Sequence, residues 1–389
     1  MRKRRVCVVI TARPSYSRIR SALFAIAKHE DLELQLVVAG SALLDRYGNT
    51  IDIIEENGFS VSRKVYMVLA GENLATMAKT TGLGLIELAT AFDNLQPDIV
   101  VTIADRYETL ATAVAASYMN IPLVHVQGGE ITGSIDEKVR HAITKLSDVH
   151  FVSTELAKQR VIRMGENPDR VFMTGCPSID IAAEVRDNPQ MDFDVYQKYG
   201  GVGTKPAISD GYLVVLQHPV TTEYLDAHKQ AEETLHAIRE VGLPTLWFWP
   251  NVDAGSDETS DAIRAFRENV RPQHIHFLKN MTPTDFLRLL VNSKGIVGNS
   301  SVAIRECAFL GVPAVNVGTR QMGRERGKNV IDVEHDRQAI TTAIRTHLQN
   351  GGAPPDHVYG DGRAGLRIAD LLSEVELCVE KRLMMAGLE

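Results

Sequence analysis

Short runs of aliphatic and β-branched residues alternate with longer segments of helical periodicity along almost the whole chain. This alternation is typical of βαβ units, in which helices cover a parallel sheet. In the first half we predict strands at residues 6–12, 34–39, 99–104, 123–126, 149–153 and 171–174, and helices at residues 16–29 and 73–94. In the second half we predict strands at residues 213–216, 245–249, 275–278, 295–297 and 314–317. The pattern therefore predicts an α/β protein built from parallel sheets.

A stretch without periodicity separates the two series of strands. Residues 187–190 and 199–211 are rich in Gly, Pro and Asp, which predicts a linker. A chain of 389 residues also exceeds what one hydrophobic core usually serves. We therefore predict two Rossmann-like doubly wound domains around a central cleft, at residues 1–185 and 186–365. The last segment, residues 366–389, has helical spacing up to residue 385 and is predicted to pack back onto the N-terminal domain.

Charge and hydropathy exclude several classes of protein. The net charge is −7, the pI is near 6.0, and the basic run at residues 2–5 is short, so we expect no nucleic-acid partner. No stretch approaches the roughly 20 apolar residues that span a bilayer, so we expect no membrane contact. The apolar run at residues 6–12 ends in Arg13 and Pro14, too early for a signal peptide, which predicts a cytoplasmic protein.

The cysteines lack the paired spacing of a zinc site or of a compact disulfide framework. They are Cys7, Cys176, Cys307 and Cys378. We expect free thiols in a reducing compartment.

Charged side chains follow two of the predicted strands in the first half. Arg13 comes at the end of the first strand, and Asp105 and Arg106 follow the strand at residues 99–104. A carboxylate beside a guanidinium suits proton transfer and phosphate binding. The alternatives are a solvated Arg13 at the start of a helix, and an Asp105 that only caps the next helix beside a surface arginine.

The segment at residues 125–146 joins a predicted strand to a helix with an acidic first turn. Gly128 and Gly129 let the backbone approach a ligand closely. Asp136 and Arg140 lie four residues apart on one helical face, so they can pair with each other or both face the cleft. The two histidines of the segment are interpreted as structural.

Polar residues also follow the strands of the second half. His218 comes directly after a strand that Pro219 ends, which places the imidazole at the edge of the expected cleft. Asn251 follows the next strand and offers two donors and one acceptor to a sugar or a base.

A strand, a turn and a helix start are predicted around Ser300 and Ser301. Free backbone N–H groups, two hydroxyls and the positive end of a helix form an anion site that fits a pyrophosphate. The Gly-Lys-Ser/Thr ending of a P-loop is absent, and the alternative is simple capping by serine. Glu306, expected two turns into the helix, suits two ribose hydroxyls, and Arg320 suits a phosphate.

Taken together, these motifs resemble the hydrolysing UDP-N-acetylglucosamine 2-epimerases of bacterial sialic-acid pathways and the epimerase half of the bifunctional animal enzyme. The resemblance runs from about Val6 to Asn329. It is carried by RPSYS, ADRYE, HVQGGEITGSIDEKVRHAITKL, TGCPSID, QHPVTT, PNVDAGS, GNSSVAIRE and NVGTRQMGRERG. It implies a GT-B-like fold, with two Rossmann-like domains around a deep cleft.

The resemblance also implies a set of site residues. Asp105 and Asp136 fall on acidic catalytic positions. Positions that hold UDP or the sugar are matched by Arg13, Ser17, Arg106, Arg140, His218, Asn251, Ser300, Ser301, Glu306 and Arg320. The implied chemistry removes the proton at sugar C2, expels UDP to give a 2-acetamidoglucal, and adds water to give the free manno-configured sugar. Neither a metal nor a nicotinamide cofactor is implied.

One position departs from the family pattern. The well-studied sialic-acid members carry a catalytic Glu just before the paired glycines, whereas this chain has Gln127. An amide is neither a proton acceptor nor an acid at neutral pH. Our hypothesis is that Glu130 replaces the missing carboxylate; alternatively, Gln127 only orients a hydroxyl, a water or an acetamido group.

The substrate and the rival functions follow from the same resemblance. UDP-N-acetylglucosamine is ranked first, and a UDP-2,4-diacetamido-2,4,6-trideoxy sugar of legionaminic-acid pathways is the alternative, because Gln127 alters the site. A GT-B glycosyltransferase and a nucleotide-sugar-binding protein without catalysis are the rivals. A homodimer or homotetramer is expected from the family.

Overall fold

Two seven-stranded sheets organise the computed structural model, which describes residues 2–44, 50–70, 74–131, 135–220, 222–250 and 255–384. The described part of the chain divides into two compact units. Unit 1 contains residues 2–131, 135–180 and 359–384, and unit 2 contains residues 181–358. The divisions thus fall after Asp180 and before Tyr359, each somewhat earlier in the chain than the boundary drawn from the sequence.

The sheet of unit 1 is parallel throughout, in the order β3-β2-β1-β4-β5-β6-β7. Its strands are β1 Arg4–Ile10, β2 Leu32–Ala39, β3 Val61–Val65, β4 Ile99–Ile103, β5 Leu123–Val126, β6 Val149–Val152 and β7 Val171–Met173. Its helices are α1 Arg13–Lys28, α2 Thr50–Glu56, α3 Leu74–Leu95, α4 Tyr107–Tyr118, α5 Ile135–Leu146, α6 Glu155–Arg163 and the late α14 Ala364–Glu374, with α7 Pro177–Asp187 continuing into unit 2. The strand order reverses between β1 and β4, which defines the topological switch point of a Rossmann-like sheet.

Unit 2 repeats this topology, with the order β14-β13-β12-β9-β10-β11-β8. Its strands are β8 Val202–Gly203, β9 Leu213–Leu216, β10 Thr245–Phe248, β11 Ile275–Leu278, β12 Gly295–Gly298, β13 Ala314–Val317 and β14 Val330–Val333. Its helices are α8 Val195–Tyr199, α9 Ala227–Val241, α10 Ser256–Val270, α11 Pro283–Val291, α12 Glu306–Leu310 and α13 Arg337–Asn350. The switch point lies between β9 and β12, and only β8, among the described strands, is antiparallel to its neighbour. The predicted α/β fold with two Rossmann-like domains is confirmed.

The predicted linker is wrong. Residues 199–211 belong to unit 2, where β8 pairs with β11 at the edge of the sheet. His276 holds this stretch through ring-nitrogen contacts of 2.8 Å to the Gly200 carbonyl and 2.7 Å to the Thr204 carbonyl. The glycines here shape a short edge strand and its turn rather than a flexible connection, because Gly200, Gly201 and Gly203 have positive φ.

The predicted C-terminal helix is shorter than its apolar spacing suggested. Helix α14 ends at Glu374, and residues 375–384 continue without regular structure. Two arginine side chains donate hydrogen bonds to backbone carbonyls at this end of the helix. Arg4 donates to the Val375 carbonyl oxygen at 2.9 Å, and Arg170 donates to the Glu376 carbonyl oxygen at 2.6 Å. Tertiary bonds therefore replace the next helical turn. Within the described ranges, no helix combines the length and the apolar character needed to cross a bilayer.

The C-terminal tail fastens the end of α5. Lys381 donates to the carbonyls of Thr144 and Ser147. Its ammonium also lies 2.6 Å from the Glu166 carboxylate. The same carboxylate lies 2.6 Å from Lys145 Nζ and 3.0 Å from His150 Nε2. Burial lowers the pKa of His150, so its ring is neutral near pH 7. Although burial opposes ionisation, the hydrogen bonds from these three side chains dominate and lower the pKa of Glu166 to about 2.

This cluster predicts an acid-sensitive contribution to stability. A carboxyl whose folded pKa is depressed stabilises the fold above its unfolded pKa and loses that effect as pH falls through the folded value. We expect Glu166→Gln to lower the free energy of unfolding at pH 7 by about 2 kcal/mol, a figure reduced for solvent around Lys145. The gap between variant and wild type should close as pH falls from about 4.5 towards about 2. Urea unfolding at several pH values measures the difference in free energy of unfolding between variant and wild type, with a substitution of the exposed Glu30, Glu30→Gln, as the matched control. A difference that does not change with pH would contradict a stabilising role for ionised Glu166.

Candidate active site

The candidate catalytic residues of unit 1 follow the carboxyl ends of adjacent strands at its switch point. Asp105 follows β4, Gln127 follows β5, and Arg13 begins α1 three residues after the last residue of β1. The ends of parallel strands meet at one edge of the sheet, which is where open α/β sheets bind ligands. Asp105 and Gln127 are buried in this unit, with exposures of 6% and 1%.

Arg140 organises the site from the second turn of α5. Its side chain is 0% exposed, and its guanidinium bonds the Asp105 carboxylate through Nη2. Nη1 donates to the Gln127 carbonyl oxygen at 3.1 Å and lies 3.4 Å from Glu130 Oε2. The structure thus brings Asp105, Glu130 and Arg140 together in one buried cluster. The resemblance placed Arg140 among the residues that hold UDP or the sugar; in the structure, its guanidinium is bonded to carboxylates of its own unit.

Two residues at the strand ends adopt left-handed backbone conformations. Ala104 has φ +62° and Gln127 has φ +68°, a region that non-glycine residues seldom occupy. Strain of this kind persists where surrounding contacts impose it, and it concentrates at functional sites. His125 supplies one such contact, since its ring Nε2 donates to the Ala104 oxygen at 2.8 Å and its Nδ1 accepts from the Thr144 hydroxyl at 3.1 Å.

The environment of His125 assigns it a structural role. The ring is completely buried, and desolvation lowers its pKa to about 3. The ring is therefore neutral at physiological pH. Its two hydrogen bonds connect β5 to Ala104, the residue before Asp105, and to Thr144 in α5. This agrees with the structural interpretation made from the sequence.

Asp105 does not cap the helix that follows it. Helix α4 begins at Tyr107 with Arg106 in the N-cap position, so the carboxylate is available to other partners. Besides Arg140, it lies 3.8 Å from Nη1 of Arg18. Arg18, which lies five residues after Arg13 in α1, was not predicted from the sequence. Arg106 Nε lies 3.2 Å from the buried Glu108 carboxylate, an ion pair that orients this predicted phosphate ligand.

Three more predicted residues of unit 1 occupy the first turns of helices. Arg13 and Ser17 lie in the first two turns of α1, whose N-cap Ala12 makes no side-chain cap bond. Burial lowers the pKa of Arg13 from its ordinary value, while a guanidinium stays charged at neutral pH. Asp136 is a half-buried member of the acidic first turn of α5. The amide N–H groups of such turns favour anionic groups.

The switch point of unit 2 is built around a reciprocal pair of hydrogen bonds. Asn299 Oδ1 accepts from the His218 backbone N–H at 2.7 Å, and Asn299 Nδ2 donates to the His218 carbonyl at 2.8 Å. Gly298 just before it has φ +134°, and a Cβ there would lie 2.2 Å from the Leu216 oxygen. Only glycine permits this close strand contact, which fixes the 5%-exposed His218 beside the β12 turn.

The turn after β12 differs in detail from the predicted helix start. Ser300 caps a short 3₁₀ helix at Ser301–Ala303, with its hydroxyl accepting from the Val302 N–H at 3.4 Å. Helix α12 begins only at Glu306, so the expectation that Glu306 lies two turns inside the helix is wrong. The serine cap closes a tight turn first, and the regular helix starts after it. The Glu306 Oε2 atom is buried and has no hydrogen-bond partner in the described part of the chain.

Arg320 reaches the same turn from beyond β13. Its Nη1 donates to the Asn299 carbonyl at 3.2 Å, and Gln321 Nε2 donates to the same oxygen at 2.8 Å. Unit 2 thus assembles His218, Ser300 and Arg320 around Asn299, a residue that the sequence did not single out. Asn251 lies outside the described residues.

The buried oxygen of Glu306 predicts a role in nucleotide affinity. A carboxylate oxygen without a partner suits hydroxyl donors, and charge-assisted hydrogen bonds contribute about 1.5–3 kcal/mol. We expect Glu306→Gln to weaken UDP binding at least tenfold and to weaken 2′-deoxy-UDP binding less. Titration calorimetry measures both, with the exposed Glu268→Gln as control. Equal losses for the two nucleotides would contradict a ribose contact.

The chain thus has two Rossmann-like sheets, each with polar side chains at its switch point, and comparison with known proteins identifies the family. A model of the UDP-N-acetylglucosamine 2-epimerase family matches residues 24–373. The chain belongs to this family, as its motifs predicted.

Several curated proteins resemble the chain along most of its length. It is 35% identical over 374 residues to the hydrolysing UDP-N,N'-diacetylbacillosamine 2-epimerase of Legionella pneumophila, with 96% of this chain and 97% of that protein covered. It is 30% identical to the UDP-N-acetylglucosamine 2-epimerase of Neisseria meningitidis, with 96% of each covered. The crystal structure of a UDP-GlcNAc 2-epimerase from N. meningitidis bound to UDP-GlcNAc superposes with a TM-score of 0.78 at 17% identity, covering 95% of this chain and 99% of that one. That likeness shows the GT-B-like fold.

Proposed function

We propose that the chain is a hydrolysing 2-epimerase of a UDP-linked 2-acetamido sugar, with UDP-N,N'-diacetylbacillosamine as its preferred substrate. The observation that carries the proposal is the buried cluster of Asp105, Glu130 and Arg140 at the switch point of unit 1. The sugar is chosen because the 35% identical relative from L. pneumophila is named for it. The altered residue at Gln127 is consistent with a changed sugar.

The proposed reaction begins with an elimination. A carboxylate of unit 1 removes the proton at C2, the electrons of the C–H bond form the C1–C2 double bond, and the C1–O bond breaks so that UDP leaves with its electron pair. The C2 proton is weakly acidic, so the base must lie within hydrogen-bond reach of it. Asp105, Glu130 and Asp136 are the proposed acid and base groups, and Arg140 fixes the first two in place.

The second half of the reaction adds water to the glycal. Water bonds to C1, and a proton reaches C2 from the opposite face, which gives the free sugar with inverted configuration at C2. Because Gln127 neither gives nor takes this proton at neutral pH, we assign the missing carboxylate function to Glu130. Its carboxylate is 4% exposed, and the Arg140 guanidinium holds it next to the Gln127 peptide.

Residues at helix starts and strand ends are proposed to hold the nucleotide. Departure of UDP leaves negative charge on the β-phosphate, which cations and backbone N–H groups stabilise. In unit 1 we assign this task to Arg13, Ser17 and Arg106. In unit 2 we assign UDP binding to His218, Asn251, Ser300, Ser301, Glu306 and Arg320.

Turnover in heavy water tests the proposal. The protein is incubated with UDP-N,N'-diacetylbacillosamine alone, and the products are identified by NMR and mass spectrometry. We expect UDP and a free 2-epimerised sugar that carries one deuterium at C2. A UDP-linked 2-epimer without free UDP would show a non-hydrolysing epimerase, and an intact donor that reacts only when an acceptor is added would show a glycosyltransferase. UDP binding without turnover of any UDP-amino sugar would support a protein without catalysis.

UDP-N-acetylglucosamine is the second candidate substrate, because the N. meningitidis relative is named for it. The ratio of kcat/KM for the two sugar nucleotides decides between them. We expect a preference of at least tenfold for the diacetamido sugar. An equal or reversed preference would assign the chain to UDP-N-acetylglucosamine while leaving the reaction type unchanged.

A further inference from the structure

The Gln127 side chain has one partnered end and one end without a partner. Nε2 donates to the Cys176 sulfur at 3.1 Å, and that sulfur lies 3.0 Å from the Ser178 hydroxyl. Oε1 is buried and accepts no hydrogen bond from any described residue. Leaving a buried polar atom unpaired destabilises the fold, so native proteins seldom retain one without a reason.

The surroundings fix the Gln127 carboxamide from both sides. Its backbone N–H donates to the Phe151 oxygen at 2.8 Å, and its carbonyl accepts from Arg140 at 3.1 Å, so the left-handed peptide is held in place. Cys176 is itself anchored, since its side chain is 0% exposed and its N–H donates to the Tyr359 oxygen at 2.8 Å. With the backbone and the sulfur both fixed, the remaining amide rotation is set by the contact between Nε2 and Sγ.

We propose that Cys176 is a positioning residue for Gln127, and that Gln127 Oε1 accepts the N–H of a substrate acetamido group. An amide oxygen pairs with an amide hydrogen without introducing charge. A carboxylate at position 127 would instead add a negative charge to a residue whose carbonyl is bonded to Arg140, the cation shared by Asp105 and Glu130, and it would have no N–H to donate to the sulfur. The inference rests on the proposed function, because it takes the ligand to be a UDP-linked acetamido sugar.

Discrimination between two sugar nucleotides tests the acceptor role. Binding of UDP-N-acetylglucosamine and of UDP-glucose, which has a hydroxyl in place of the acetamido group, is measured by calorimetry on the full chain. An Asp105→Asn background keeps the ligands intact. Replacing Gln127 with methionine keeps the length of the side chain and removes the oxygen. We expect this change to reduce the preference for the acetamido sugar three- to tenfold, with UDP affinity unchanged.

Substitutions of Cys176 test the positioning role in the otherwise wild-type enzyme. Cys176→Ala should raise KM for the UDP-acetamido sugar about threefold or more, with kcat changed much less, and Cys176→Ser should recover most of the loss because its hydroxyl also accepts from Nε2. Cys7→Ala is the matched control, since Cys7 is a buried thiol of the same unit within strand β1 and burial raises its pKa to about 12.

Three results would overturn the inference. An unchanged preference in Gln127→Met would mean that water, and not the substrate, satisfies Oε1. A hundredfold fall of kcat in Cys176→Ala without recovery in Cys176→Ser would mean that the thiol takes part in the chemistry. An effect of Cys7→Ala equal to that of Cys176→Ala would mean general loosening of the core. Failure of the proposed function appears separately, as absence of turnover of UDP-amino sugars by the wild-type chain.

Discussion

Replacing Arg140 with methionine is expected to lower the free energy of unfolding by about 3–5 kcal/mol and to abolish turnover. Methionine has a similar length and fills the space, so the main change is the loss of charge. Arg140 is 0% exposed and pairs with Asp105 and Glu130, which are themselves almost fully buried. Without the guanidinium, two carboxylates remain in a low-dielectric environment with their shared cation removed.

Urea unfolding and initial rates of UDP release measure the two effects. Arg140→Lys retains the charge but lacks the planar fork that bonds two carboxylates and the Gln127 carbonyl together, so it should recover part of the stability and little of the activity. Arg163→Met is the matched control, because Arg163 is an exposed residue of the same unit and such substitutions stay within about 0.5 kcal/mol. A wild-type unfolding midpoint in Arg140→Met would refute the buried cluster.

The fold could be predicted where strands are central and buried. Strands β5, β9, β11 and β13 were predicted with the bounds that the structure gives, because both faces of a parallel sheet are covered and at least three of the four residues in each strand are apolar. The edge strands β3, β8 and β14 were missed. The β3 strand, Val61–Val65, is largely exposed and contains Ser, Arg and Lys, so its sequence contains no hydrophobic run.

The candidate site could be predicted where a residue directly follows a strand. Asp105, Gln127 and His218 are of this kind, since each lies at the carboxyl end of a predicted strand, the edge where parallel sheets bind ligands. The partners of these residues could not be predicted. Arg18 and Cys176 reach Asp105 and Gln127 through tertiary packing of α1 and of the loop before α7, and neither has a spacing signal that sets it apart.

Neutralising a carboxylate of the cluster is expected to have the largest effect on the rate. Both Asp105→Asn and Glu130→Gln should lower kcat by at least a hundredfold, because a positioned acid or base contributes about 10²–10⁴ and an amide provides neither function. Both variants keep side-chain size, and an amide oxygen still accepts from Arg140, so KM for the UDP-sugar should change far less than kcat. Glu155→Gln, which alters an exposed carboxyl at the start of α6, is the control.

The products distinguish the two carboxylates. If Asp105 removes the C2 proton, Asp105→Asn stops release of UDP and incorporation of deuterium at C2 together. If Glu130 serves the addition of water, Glu130→Gln still releases UDP, and the 2-acetamidoglucal accumulates in place of the free sugar. Full turnover in Glu130→Gln would exclude Glu130 as the replacement for the carboxylate absent at Gln127, and the proton at C2 would then have to come from Asp136, the remaining acidic group of the proposed unit 1 site.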